Sequence, residues 1–280
     1  MLDLGLIEAK QVLVFGGAYG NLQATRAVFM EAERLGIAPA HVFCAGDMVA
    51  YCAEPLETAL FIYNWGVQCI QGNCEEALAQ SREDCGCGFD EGSACDVLSQ
   101  QWFRFCQNAL DEKACEWFST LPKTVVFQFG GKNFQIVHGG LSDISAFIFK
   151  SMGDNVFRDE FKLSDADCIL AGHCGLPFTK IISEKIWHNT GVVGMPANDG
   201  TARTWYSLIN VEDGVISFEY RALNYDAQAA FQAMKDHNLP DAYGHALLSG
   251  LWPSLDVLPE YERLQTGVSL YERVIEWTSS

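Results

Sequence analysis

The chain has 280 residues, 49% of them apolar and 19% charged, which is globular composition and excludes a disordered polymer. Its 18 basic and 36 acidic residues leave a net charge of −18, which repels phosphate backbones, so no nucleic-acid partner is expected. No apolar run reaches the ~20 residues that span a bilayer, and the opening MLDLGLIEAK lacks the basic start and apolar run of a secretory leader. A cytoplasmic location without a membrane partner is therefore expected. The 11 cysteines are read as thiols or metal ligands rather than a disulfide framework.

Residues 11–16, QVLVFG, form an apolar β-rich run that stops at Gly16-Gly17. The next segment places Leu22, Arg26, Phe29, Met30 and Ala32 at roughly helical spacing and closes at Gly36. HVFCAGD is a second short strand, PLETALFIYNWG a helix, and VQCIQGN a third strand ending at Gly72-Asn73. This strand–helix–strand rhythm predicts a mostly parallel sheet whose ligands bind at the carboxyl ends of the strands. A Gly- and Cys-rich acidic loop over 81–96 breaks the rhythm, and two helical patterns follow it up to Pro122. TVVFQFGGKNFQIVHGG reads as a hairpin turning at Gly130-Gly131, and DCILAGH and ISEKIWHNTG as further strands. TWYSLINVEDGVISFEY reads as a second hairpin, turning near Asp213-Gly214. From Asp226 the pattern is helical, with a stop at Trp252-Pro253.

Asp47, Asn73, His138 and His173 each follow an apolar β-run, so their side chains can converge at one sheet edge. A carboxylate, an amide oxygen and two imidazoles suit one divalent transition metal: Mn, Fe or Zn. The segments around them, AGDMVAYCAEP, QGNCEEAL, IVHGG and LAGHCGLPF, resemble the GD, GNH(D/E), HG and GHxH blocks of the calcineurin-like metallophosphoesterases, in that family's order. VLVFGGAYGNLQA resembles the family's opening D-x-H-G-N block, and HNTGVVGMPANDGTARTWYSLI its later NPGSVGxPRDG…Y block.

The resemblance implies an α/β protein: a four-layer αββα sandwich of two mixed β-sheets flanked by helices, with a helical cap and C-terminal helices. The implied division is a metallophosphoesterase-like domain over 1–225, with 81–123 as a Cys-rich loop and cap insert. Residues 226–280 are expected to form a helical extension packed on the same domain. It also implies a two-metal centre, of which Asp47, Asn73, His138 and His173 complete one site. The other is stripped: its Asp, His and terminal His fall at Gly17, Tyr19 and Gly175, and the GNH histidine at Cys74.

Cys74 and Tyr19 become the candidate catalytic hydrogen-bond donors. His188, Asn189 and Arg203 are the candidate substrate-binding residues, Arg203 as a two-pronged phosphate contact. Cys85, Cys87, Cys95 and Cys174 are read either as a thiol-rich rim able to hold a soft metal or as ordinary small buried thiols. The expected partner is a phosphate-containing small molecule. Three functions remain open: a mononuclear metal-dependent phosphoesterase, a catalytically impaired protein that binds a metal and a phosphate ligand as a sensor or partner-binding module, and redox or metal sensing through the cysteine rim.

Overall fold

The computed structural model describes residues 1–277. β1 (Leu2–Leu6) and β2 (Gln11–Phe15) lead into α1 (Leu22–Leu35), then β3 (Val42–Cys44), α2 (Pro55–Trp65), β4 (Gln68–Cys69) and α3 (Asn73–Ala79). α4 (Ala94–Ala109) and α5 (Glu112–Thr120) precede the hairpin of β5 (Val125–Phe129) and β6 (Lys132–Ile136). α6 (Asp154–Phe161), β7 (Cys168–Ala171), β8 (Phe178–Ile182) and β9 (Lys185–Asn189) follow. The long hairpin of β10 (Thr204–Glu212) and β11 (Val215–Leu223) leads to α7 (Ala227–Asp236), α8 (Asp241–Ser249), α9 (Glu260–Leu264) and β12 (Arg273–Trp277).

The strands form two six-stranded sheets, ordered β1-β5-β6-β7-β9-β8 and β12-β11-β10-β2-β3-β4. Both are mixed: β2, β3 and β4 run parallel, as do β6, β7 and β9, while the two long hairpins pair antiparallel. The mostly parallel sheet predicted from the rhythm of the first 75 residues therefore holds for β2, β3 and β4, but antiparallel hairpins make each whole sheet mixed.

Because both faces of each sheet are covered, the central strands carry continuous apolar runs instead of a polar alternation. In β2, Val12 and Val14 point between the sheets, while Leu13 and Phe15 face the helices. The inter-sheet layer includes Phe43 stacked on Phe127 at 4.9 Å. Helices α1 to α5, α7 and α8 cover one outer face, and α6 with the chain around Leu258 covers the other, giving four layers α, β, β, α.

Helix α1 ends as expected, Gly36 capping it in the left-handed conformation at φ 68°. Its buried face runs through Leu22, Ala24, Thr25, Val28 and Ala32, so Met30, counted in the apolar spacing, points outward at 66% exposure. The extension read as helical over 226–280 is corrected at its end. β12 joins β11 as an antiparallel edge strand, with Trp277 opposite Ile216 and buried between the sheets. β1 is likewise an edge strand, nearly all of it exposed. β1 and β12 are mostly exposed, so neither carries a buried apolar run to mark it in the sequence.

A candidate metal centre

The carboxyl ends of β2, β3, β4, β6, β7 and β9 reach one edge, where Gly16 bridges to Val192 and ties one sheet to the other. A Cβ on Gly46 would lie 2.8 Å from His138 Nδ1, and one on Gly72 would lie 2.3 Å from Asp47 Oδ1. Glycine at these two positions is what allows the turns after β3 and β4 to close on each other.

Asp47 adopts φ 55°, a left-handed conformation that is costly for a non-glycine residue. Glu75 offsets it. One carboxylate oxygen accepts from Asp47 N at 2.8 Å and Gly72 N at 2.9 Å, and the other from Met48 N at 2.8 Å and Val49 N at 3.3 Å. Burial, followed by the nearby Asp47 charge, pushes the Glu75 pKa up to about 7 against the pull of its amide donors.

His138 Nδ1 lies 2.7 Å from the Ala45 carbonyl, which can only accept, so that nitrogen carries the proton. In the neutral ring Nε2 is then a lone pair. It faces Asp47 Oδ2 at 3.2 Å, Asn73 Oδ1 at 3.0 Å and His173 Nδ1 at 2.9 Å. Asn73 cannot turn its amide inward, because Nδ2 donates to Cys85 O at 2.9 Å and contacts Cys87 Sγ at 3.4 Å. Electron pairs from three or four side chains thus meet at one buried point, an arrangement that requires positive charge. Spacings near 3 Å are those of neighbouring ligands around an ion with bonds of about 2.1 Å. Among the described residues, Asp47, His138 and His173 alone form a trio of acidic, His or Cys donors within 4.8 Å of one another. The four residues expected to converge do so, and their donor set fits a divalent transition metal.

The local electrostatics carry the same signature. Burial lowers the His138 pKa, but Asp47 beside it reverses the sign and holds it above the ordinary value. The Asp47 carboxyl, although burial raises it, ends below its usual range because of His138. His173 is pushed down to about 3, first by burial and then by His138. Its Nε2 is buried without a hydrogen bond.

Around Gly17, Tyr19 and Gly175, where the resemblance implies missing ligands, other side chains fill the space. A Cβ on Gly17 would fall 2.4 Å from the Tyr19 ring, so that ring occupies the space into which a residue-17 side chain would project. Gly175 sits at φ 74° under Trp252, whose ring would be 3.2 Å from a Cβ there. Burial, then Asp47, raises the Tyr19 pKa well above 10, so it stays a neutral phenol and a poor ligand. Tyr19, Asp47, His173 and Gly175 line a cavity of about 70 Å³, together with Tyr51, Phe147, Tyr243 and Trp252.

Other expected site residues lie elsewhere. His188 is wholly buried between the sheets, bonded to Thr179 at 2.9 Å and Ser207 at 2.8 Å and stacked on Tyr220. Asn189 Oδ1 accepts from Gly191 N, and Arg203 pairs with Asp199 and lies over Trp205. None of the three lines the cavity. The same sequence block reaches it through Val192 and Met195.

The thiol-rich rim is also corrected. Cys85 and Cys87 are joined as a disulfide, whereas Cys95 and Cys174 are free and line the cavity without forming a donor cluster. Cys74 is buried beside Asn73 and does not line the cavity, and burial drives its pKa well above the usual thiol value. Two contributors went unread: Glu75, signalled by its place three residues after Gly72 as in a capping box, and Tyr51, which carries no motif signal.

A protein of Methanocaldococcus jannaschii, described as uncharacterized, is 24% identical over 258 residues, covering 86% of this chain and 98% of its own. A metallophosphoesterase from Sphaerobacter thermophilus superposes with a TM-score of 0.67 at 18% identity, covering 87% of this chain and all of that one. A hypothetical protein from Pyrococcus horikoshii OT3 gives 0.72 at 18% identity, covering 86% and 99%. These two likenesses place the fold. Residues 12–214 match the calcineurin-like phosphoesterase superfamily domain, and the chain belongs to that superfamily.

Proposed function

We propose that this chain is a single-ion member of its superfamily, one that binds a small anionic ligand through the metal and has lost two-ion hydrolysis. The observation that carries this reading is the Tyr19 ring packed into the space at Gly17, beside an intact Asp47, Asn73, His138 and His173 cluster. The four side chains hold the ion, and Glu75 fixes the strained Asp47 turn that presents the carboxylate. Tyr19 and Trp252 keep a second ion out, and Phe147 and Tyr243 narrow the approach. When bound, a Mn, Fe or Zn ion supplies Lewis acidity toward one ligand oxygen. Two-metal hydrolysis relies on paired ions about 3.5–4 Å apart, and a neutral phenol does not replace one of them.

A mononuclear phosphoesterase is the second reading. It is favoured by Asp47 and His173 both lining the cavity, which leaves the ion reachable by a substrate. Elemental analysis together with turnover of an aryl phosphodiester in added Mn²⁺ separates the two. The proposal expects about one metal per chain, lost in His138→Ala, and a rate no higher than that of Asp47→Ala. A rate that falls at least tenfold in Asp47→Ala establishes the phosphoesterase instead, and two metals per chain overturn both.

A further inference from the structure

We infer that the ligand of this centre is a small monoanion with an apolar body, of the short-chain carboxylate class, in preference to a phosphate. The inference rests on the single-ion reading above.

Charge and lining argue for it together. A divalent ion held by Asp47, two imidazoles and an amide carries at most one net positive charge, and the buried Glu75 behind Asp47, which does not line the cavity, can only reduce it. None of the residues lining that cavity is Lys or Arg, so nothing else there meets a second negative charge. A phosphate dianion would sit uncompensated in a buried space, whereas a monoanion is balanced. The walls fit the same choice: Tyr51, Phe147, Val192, Tyr243 and Trp252 contribute aromatic rings and a branched aliphatic chain. Ligand sites of this apolar kind bind the body of a molecule and use a few polar groups to orient its head. The volume, about 70 Å³, holds about five to seven water-sized groups at the 10–15 Å³ each requires. Butyrate is of that size. Inorganic phosphate, with five non-hydrogen atoms against six, is close to it in size, so the two differ mainly in charge and apolarity.

The test is calorimetric titration of the Zn²⁺-loaded protein with acetate, butyrate, hexanoate, butyramide and inorganic phosphate, with metal content measured on the same sample. Butyrate is expected to bind at least tenfold tighter than phosphate and butyramide, and tighter than its shorter and longer homologues. Its affinity should fall at least tenfold in Phe147→Ala and Tyr243→Ala, each checked for retained metal, and vanish after chelation. Phosphate binding as tightly as butyrate, in protein holding one metal, overturns the inference and leaves the single-ion reading standing. Two metals per chain remove that reading itself. Butyrate binding that survives chelation places the ligand away from the ion and also overturns the inference.

Discussion

His188 shows how much a buried titratable group depends on its surroundings. Its sequence block suggests a role in binding substrate, but the alternation of β9 turns it between the sheets, where Thr179, Ser207 and Tyr220 surround it. Burial, followed by Arg273, depresses its pKa to about 3. A folded pKa below the unfolded value of about 6.5 gives stability that is complete above pH 6.5 and is lost as pH falls toward 3. The loss from this residue is about 1.4 kcal/mol per pH unit across that window. Urea midpoints of wild type and His188→Gln between pH 4 and 7 should diverge with that slope, and parallel curves would remove the assignment.

Glu75 is the other decisive single residue. Replacing it by Gln keeps the shape but puts an amide N–H against backbone N–H donors that need an acceptor. Glu75→Gln should cost about 1–3 kcal/mol in chemical denaturation and weaken metal binding, as read by competition with a chelating dye.

The elements around the centre divide into those that fix the four-residue cluster and those that fill the space around Gly17 and Gly175. The loop between α3 and α4 belongs to the first group, because the Cys85 carbonyl and Cys87 sulfur fix the amide end of Asn73. Releasing that loop by the double change Cys85→Ser, Cys87→Ser should lower metal affinity several-fold without unfolding the protein, with circular dichroism as the control.

The segment after α8 belongs to the second group. Trp252 Nε1 donates to Pro196 O at 2.6 Å and its backbone N to Asn198 Oδ1 at 2.9 Å, which sets its ring over Gly175. Restoring Gly17→Asp, Tyr19→His and Gly175→His should therefore leave the protein with one metal, since the imidazole introduced by the third change meets the Trp252 ring. Adding Trp252→Ala should open the position. A second metal in the triple variant would show that Trp252 does not block it.

At the scale of the whole molecule, the sequence made the centre of the fold legible and left the rim obscure. Strands β2, β3 and β7 were readable because burial on two faces forces apolar runs, and the two hairpins because β-rich segments flank Gly130-Gly131 and Asp213-Gly214. Asp47, Asn73, His138 and His173 were readable for a related reason: each stands where such a run must end. Edge strands β1 and β12 leave weaker patterns. The Tyr51 and Trp252 walls of the cavity come from loops whose course depends on packing, so no local signal marks them. His188, Asn189 and Arg203 lie in the block that resembles the family's later motif, but which of its side chains turn toward the cavity is decided by strand parity and by the bridge at Val192.

Asp47 and Asn73 stand on the sheet that contains β3 and β4, and His138 and His173 on the sheet that contains β6 and β7. A bound ion is thus a rivet between the two halves of the sandwich, and its loss is felt far from the cavity. At a free metal concentration one hundred times Kd it contributes about 2.7 kcal/mol to folding. Chelation should lower the melting temperature and speed amide exchange in β3 and β6 together. Faster exchange confined to one of the two would show that no such rivet joins them.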